Sequence, residues 1–121
     1  MREAELLVRR LFEEGVNAQN VDVLGEVLAG EDLVAVWLRK FAAFPDLHVE
    51  VLNVLVDGDL VCTRGTMHGT HLGPFKGLEP SGEHVEIHYL DLWRVHEGRL
   101  VENWAEWDVY EVLVAAARRQ Q

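Results

Sequence analysis

Residues 84–108 read HVEIHYLDLWRVHEGRLVENWAEWD. Two runs of alternating character flank Glu97-Gly98, a dipeptide that turns a chain back on itself. Side chains two apart share one face of a strand. The stretch therefore predicts a hairpin, with one strand over 84–96 and its partner over 99–107. Upstream the same period recurs. Val49, Val51 and Leu55 alternate with His48, Glu50 and Leu52, and Asp57-Gly58-Asp59 is a second turn signal. Leu60 to about His68 returns as a strand, and residues 69–83, rich in Gly and Pro, predict a long loop. The second half of the chain thus reads as an antiparallel meander.

Toward the N-terminus the period becomes helical. Leu7, Val8, Leu11, Phe12 and Val16 predict a helix over 4–16 that ends near Gly15 and Asn17. A short helix follows at about 21–29, capped by Asn20 or Asp22 and stopped by Gly30. A third covers 32–43, with Val34, Trp37, Leu38 and Phe41 as its stripe and Phe44-Pro45-Asp46 as its end. A last helix starts near Asp108 and uses Val109, Val112, Leu113 and Ala116. Helices gathered on one face of an antiparallel sheet make an α+β fold. The expected form is a cone: a curved antiparallel sheet packed on the N-terminal helices, with an apolar pocket for a small molecule inside.

At 121 residues the chain suits one domain, 1–121. Its 49% hydrophobic content excludes a disordered tail. The net charge is −10, of which −7 falls in residues 1–60 and −3 in 61–121. A field of that sign argues against nucleic acid and anionic membrane as partners. No apolar run approaches the roughly 20 residues of a membrane span. The start, Met1-Arg2-Glu3-Ala4-Glu5, lacks the apolar stretch of a signal peptide, and a lone cysteine makes no internal disulfide, so a cytoplasmic protein is expected.

Several residues are candidates for chemistry. Leu100, Glu102, Trp104, Glu106 and Asp108 share one strand parity; Val101, Asn103, Ala105 and Trp107 share the other. A Trp and a carboxylate facing the cone together would form a proton-transfer site, because desolvation beside indole disfavours the carboxylate. Asp108 is the candidate acid/base. It is equally placed to be the N-cap of the last helix. His84, Glu86 and His88 share a strand face and offer zinc or iron ligands, or simply a solvated or dimer-forming face. His68 and His71 flank Gly69-Thr70 and either line a pocket mouth or bond locally. Cys62 reads as a structural thiol, since no base accompanies it. Tyr89, Trp93, Trp104, Trp107 and Tyr110 crowd the last third as core, or as flat walls for a ring-shaped ligand. No phosphate-binding or dinucleotide motif occurs.

From residue 44 onward the chain resembles the SnoaL-like polyketide cyclases. The carrying motifs are Phe44-Pro45-Asp46-Leu47, Asp57-Gly58-Asp59-Leu60-Val61, Gly69-Thr70-His71-Leu72-Gly73 and Gly77-Leu78-Glu79-Pro80-Ser81-Gly82. They continue through Asp91-Leu92-Trp93-Arg94-Val95, Glu97-Gly98-Arg99-Leu100-Val101-Glu102 and Trp104, with Asp108 four residues on. The family belongs to the superfamily similar to nuclear transport factor two and ketosteroid isomerase. The resemblance implies a cone that dimerises through its open sheet face. It also implies ring closure by intramolecular aldol condensation, with no metal and no organic cofactor. Asp108 matches the family's acid/base, and Trp104, His88, His71 and Trp93 would contact substrate. The N-terminal half is shortened. Family members carry a short strand, commonly with a histidine, where here only Ala29-Gly30-Glu31 joins two helices, which implies a missing pocket wall. Val114-Ala115-Ala116 also replaces the family's usual Gln-Leu-Gly. Two functions follow from these residues: a cofactor-free cyclase or isomerase-like enzyme acting on a small hydrophobic carbonyl compound, or a non-catalytic binding or dimerisation module of the same fold.

Overall fold

The computed structural model describes residues 2–120. Helix α1 spans Arg2–Arg10 and runs on as a π-helical turn over Leu11–Val16. Helices α2 (Val21–Val27) and α3 (Glu31–Ala43) follow. Four strands come next: β1 (His48–Asp57), β2 (Leu60–Thr70), β3 (His84–His96) and β4 (Arg99–Trp107). Helix α4 (Val109–Arg119) ends the described chain. The strands pair antiparallel in the order β1-β2-β3-β4, giving the expected α+β meander.

The π-helical turn is the main local departure from the expected first helix. Asn17 N–H reaches back five residues to Phe12 O at 2.8 Å, and Asn20 N–H to Gly15 O at 2.9 Å. The wider turn keeps Leu11, Phe12 and Val16 on the buried side while ending the helix. Gly15 packs closely there: a Cβ would stand 2.8 Å from Leu24 Cδ2, so the Leu24 side chain would have to shift. Asn20 caps α2, its side chain accepting from Val23 N–H at 3.3 Å.

Two bulges decide which residues face inward. In β1, Val51 pairs with Gly65 and Asn53 with Arg64, so Leu52 is an extra residue. In β4, Glu102 pairs with Arg94 and Leu100 with Val95, so Val101 is extra. Each inserted residue inverts the parity of everything beyond it. Leu55 was expected on the face of Val49 and Val51; it stands instead on the outer face, 70% exposed, while Val54 and Val56 pack inward. Leu100 was expected to share a face with Glu102 and Trp104; it is fully buried, whereas Glu102 and Trp104 are exposed.

The core lies between the helices and the inner sheet face. Val8, Leu11, Phe12 and Val16 meet Val61, Met67, Ile87, Tyr89 and Trp93. Phe12 is the centre, its ring 6.0 Å from Trp37 and 5.8 Å from Tyr89. Truncating such a ring costs about 3–5 kcal/mol. At β4 the inner face is left partly uncovered, with Asn103 and Ala105 exposed.

Candidate active site

The alternation of β3 aims Val85, Ile87, Tyr89, Asp91, Trp93 and Val95 inward. Asp91 is the one carboxylate in that row, and it is 5% exposed. Its neighbours across the sheet are Thr63 on β2 and Ala105 on β4. Thr63 Oγ1–H donates to Asp91 Oδ1. Ala105, by contrast, is too short to fill the space in front of the carboxylate. A cavity of about 190 Å³ opens there, walled by Trp37 and Leu33 of α3, by Met67, and by Tyr89, Trp93, Asn103 and Trp107.

Helix α3 sends Leu33, Trp37 and Lys40 into this cavity from one face, at the spacing of successive helical turns. Lys40 Nζ lies 3.8 Å from the centre of the Trp37 ring and 4.6 Å from that of Trp107. Two indole faces offset part of the cost of placing an ammonium there. Burial raises the Asp91 carboxyl to about 6; hydrogen bonding from Thr63 and Trp93 and the nearby Lys40 charge oppose that rise. Burial likewise pulls the Lys40 ammonium down to about 8, with Asp91 acting the other way. The Tyr89 phenol is pushed above its ordinary range, again by burial. Tyr89 Oη and Trp93 Nε1 are buried with no hydrogen-bond partner of good geometry. Buried donors left this way mark a place that a bound molecule can complete. Chemically, the arrangement is a proton acceptor and several donors around an aromatic-walled space.

Asp108 lies elsewhere. It follows β4 at the N-cap position of α4, and its side chain makes no capping bond there. Oδ1 accepts from His88 N–H at 2.7 Å and Oδ2 stands 3.1 Å from His88 Nδ1. Both side chains are substantially exposed and border an open depression with Arg64, Leu90, Glu106 and Glu111, which shares Tyr89 and Trp107 with the cavity wall.

A family model described as SnoaL-like polyketide cyclase matches residues 7–115. The chain belongs to the SnoaL-like polyketide cyclase family. Solved structures agree. A SnoaL-like candidate polyketide cyclase from Jannaschia sp. CCS1 is 29% identical, with 96% of this chain and 92% of that one covered and a TM-score of 0.84. IdmH from Streptomyces antibioticus, a candidate polyketide cyclase, is 28% identical over 93% and 96% of the two chains, with a TM-score of 0.77. AclR from Streptomyces galilaeus, a candidate hydroxylase, is 25% identical over 98% and 83%, with a TM-score of 0.83. No curated protein matches the chain.

Of the residues expected to contact substrate in this SnoaL-like protein, Trp93 lines the cavity, as do Tyr89 and Trp107 among the aromatics expected as core or flat walls. Trp104 is 48% exposed on the outer face, because β4 turns Asn103, Ala105 and Trp107 inward. The expected pairing of an indole and a carboxylate inside the cone does exist, but it is made by Trp93, Trp107 and Asp91 rather than by Trp104 and Asp108. His88 is engaged with Asp108, away from the cavity. His71 is 1% exposed and packs on Phe44, ring centres 5.3 Å apart, with neither ring nitrogen bonded. It is a core side chain, and burial holds its imidazole below the usual histidine range.

His84, Glu86 and His88 do not converge: His84 leans toward Thr70 and Asp46, and His88 toward Asp108. Among the described residues no group of three His, Cys, Asp or Glu is arranged to hold a metal ion. No helix among them is long and apolar enough to cross a membrane. The short α2–α3 connection makes one isolated parallel bridge, Leu28 to Leu100, with Ala29 N–H donating to Leu100 O at 2.9 Å. A surface groove lies beside Leu28, Val34, Leu38 and Arg99 and shares no lining residue with the cavity. Asp91 was not among the residues expected to line the pocket, yet a lone carboxylate in a strand row of apolar and aromatic residues was a readable signal.

Proposed function

We propose that this chain is a cofactor-free cyclase-type catalyst in which Asp91 moves the proton. The carrying observation is a buried carboxyl, held at about 6, at the floor of an aromatic-walled cavity. Near neutral pH such a group is largely ionised and still a competent proton donor after it has accepted. The substrate class is a small hydrophobic carbonyl compound of polyketide type. Asp91 takes a proton from the carbon beside a carbonyl, the Tyr89 and Trp93 donors hold the enolate oxygen, and the enolate carbon closes on a second carbonyl of the same molecule. The resulting alkoxide then takes the proton that Asp91 accepted, which returns the carboxylate to its starting state. Donors aimed at developing negative charge in a dry site are worth far more than in water.

A second copy of the chain completes this reading. The outer sheet face carries a row, Leu55, Cys62, Leu92 and Trp104, aligned across all four strands. Arg94 lies beside it, tied to Asp59 and Glu102 at 2.8 Å each. An apolar stripe edged by charge suits a homodimer interface.

One observation favours a non-catalytic binding module instead: 190 Å³ is below the roughly 300–1,000 Å³ of common ligand sites. Exchange of the acidic hydrogens of 2-tetralone in deuterium oxide, followed by NMR, separates the two. The catalytic reading expects exchange by the wild type, a loss of about a hundredfold or more in Asp91→Asn, and little change in Asp108→Asn. Binding without exchange supports the module. Loss of exchange in Asp108→Asn, with Asp91→Asn still active, returns the chemistry to the strand end.

A further inference from the structure

The chain has two lysines, Lys40 and Lys76, and both line the cavity. Arg39 joins them around an adjoining depression of about 480 Å³ between α3 and the 71–83 loop. Among the described residues, none of these three cations makes a salt bridge, whereas Arg9, Arg10, Arg94 and Arg119 all do. Apart from Asp91, no acidic residue lines either space. In a chain with 21 acids and 11 bases this is an unusual local excess of positive charge. Lys76 and Arg39 each disfavour the charge on Lys40. Three like charges kept together without a counter-ion lower stability, and a bound anion relieves their repulsion.

We propose that the molecule this cavity takes carries a carboxylate, which seats among Arg39, Lys40 and Lys76 at the mouth while its apolar, carbonyl-bearing body enters toward Asp91. The inference rests on the cavity being the active site and specifies which substrates it accepts. Electrostatics sets the orientation. Asp91 repels an anion from the floor, and the three cations attract it to the wet rim, where a carboxylate keeps part of its hydration. The reacting carbonyl is then the end delivered to Asp91, Tyr89 and Trp93. The Lys76 ammonium, 5.6 Å from the centre of the Phe75 ring, is already near the rim.

The test uses 2-naphthoate and its neutral methyl ester, with binding read from the fluorescence of the cavity tryptophans at low salt. The wild type is expected to bind the acid about tenfold more tightly than the ester, a factor that corresponds to about 1.4 kcal/mol. Arg39→Gln combined with Lys76→Gln should remove most of that preference, the acid losing about tenfold more affinity than the ester. Added salt should weaken the acid and not the ester. An ester bound as well as the acid, a preference that survives the double substitution, or no binding of either compound overturns the proposal. The 2-tetralone assay keeps the two readings apart. Asp91-dependent exchange without acid preference removes the anion site alone. Acid preference without exchange removes the proton-transfer role alone.

Discussion

Asp91→Asn should make the protein more stable near neutral pH, and the gain should vanish in acid. An ordinary aspartate titrates near 3.8, and burial holds Asp91 at about 6. Below about pH 4 the carboxyl is protonated in both the folded and unfolded chain and has no linked effect. Between about 4 and 6 the unfolded chain loses the proton while the folded one keeps it, so stability falls as pH rises. Above about 6 both are ionised and the full cost remains. At about 1.4 kcal/mol per pH unit the gap amounts to about 3 kcal/mol at pH 7. Asparagine removes that charge. It also brings an amide N–H₂ that needs partners, a pH-independent cost of about 1–3 kcal/mol. Comparing the variant with the wild type at both pH values cancels that cost. The difference in unfolding free energy between variant and wild type should therefore be about 3 kcal/mol more favourable near pH 7 than near pH 3.5. For a domain of this size that is on the order of 10 °C in Tm. Lys40, titrating at about 8, stays charged across this range and does not intrude. Urea unfolding at a series of pH values measures the quantity. A variant whose stability offset is the same at both ends would show that Asp91 is not desolvated, and the proton-transfer reading would lose its physical basis.

Other outcomes test the remaining structural claims. His71 is buried below its usual range, so the unfolded chain takes up its proton first as pH falls through about 6.5, and stability should drop by up to about 1.4 kcal/mol per pH unit; His71→Leu should lack that component of acid sensitivity in calorimetry. Gly65 has no room for a Cβ against the carbonyl oxygen of Glu50 beside the first bulge, so Gly65→Ala should cost about 1–3 kcal/mol in urea unfolding. Leu55→Arg and Trp104→Arg should each weaken dimerisation by about a hundredfold or more in sedimentation equilibrium, without altering naphthoate binding; an unchanged sedimentation profile would show that the outer row is not the interface.

Local pattern determined most of the fold. A period of two over His48–Asp57, Leu60–Thr70, His84–His96 and Arg99–Trp107, broken by Asp-Gly and Glu-Gly turns, is enough for a meander. Helical spacing around Phe12 and Trp37 is enough for the packed layer, and the ordered motifs from Phe44 to Asp108 are enough for the family. Periodicity states which residues share a face; it does not state which face is inside. Single extra residues at Leu52 and Val101 reverse the phase, and no local preference marks either position. Tertiary structure alone therefore chose Trp107 over Trp104, and Asp91 over Asp108, as the side chains of the cavity. It alone brought Arg39 and Lys40 of α3 to Lys76 of a distant loop, because charges so far apart in sequence become neighbours only when helix and loop close over the same end of the sheet.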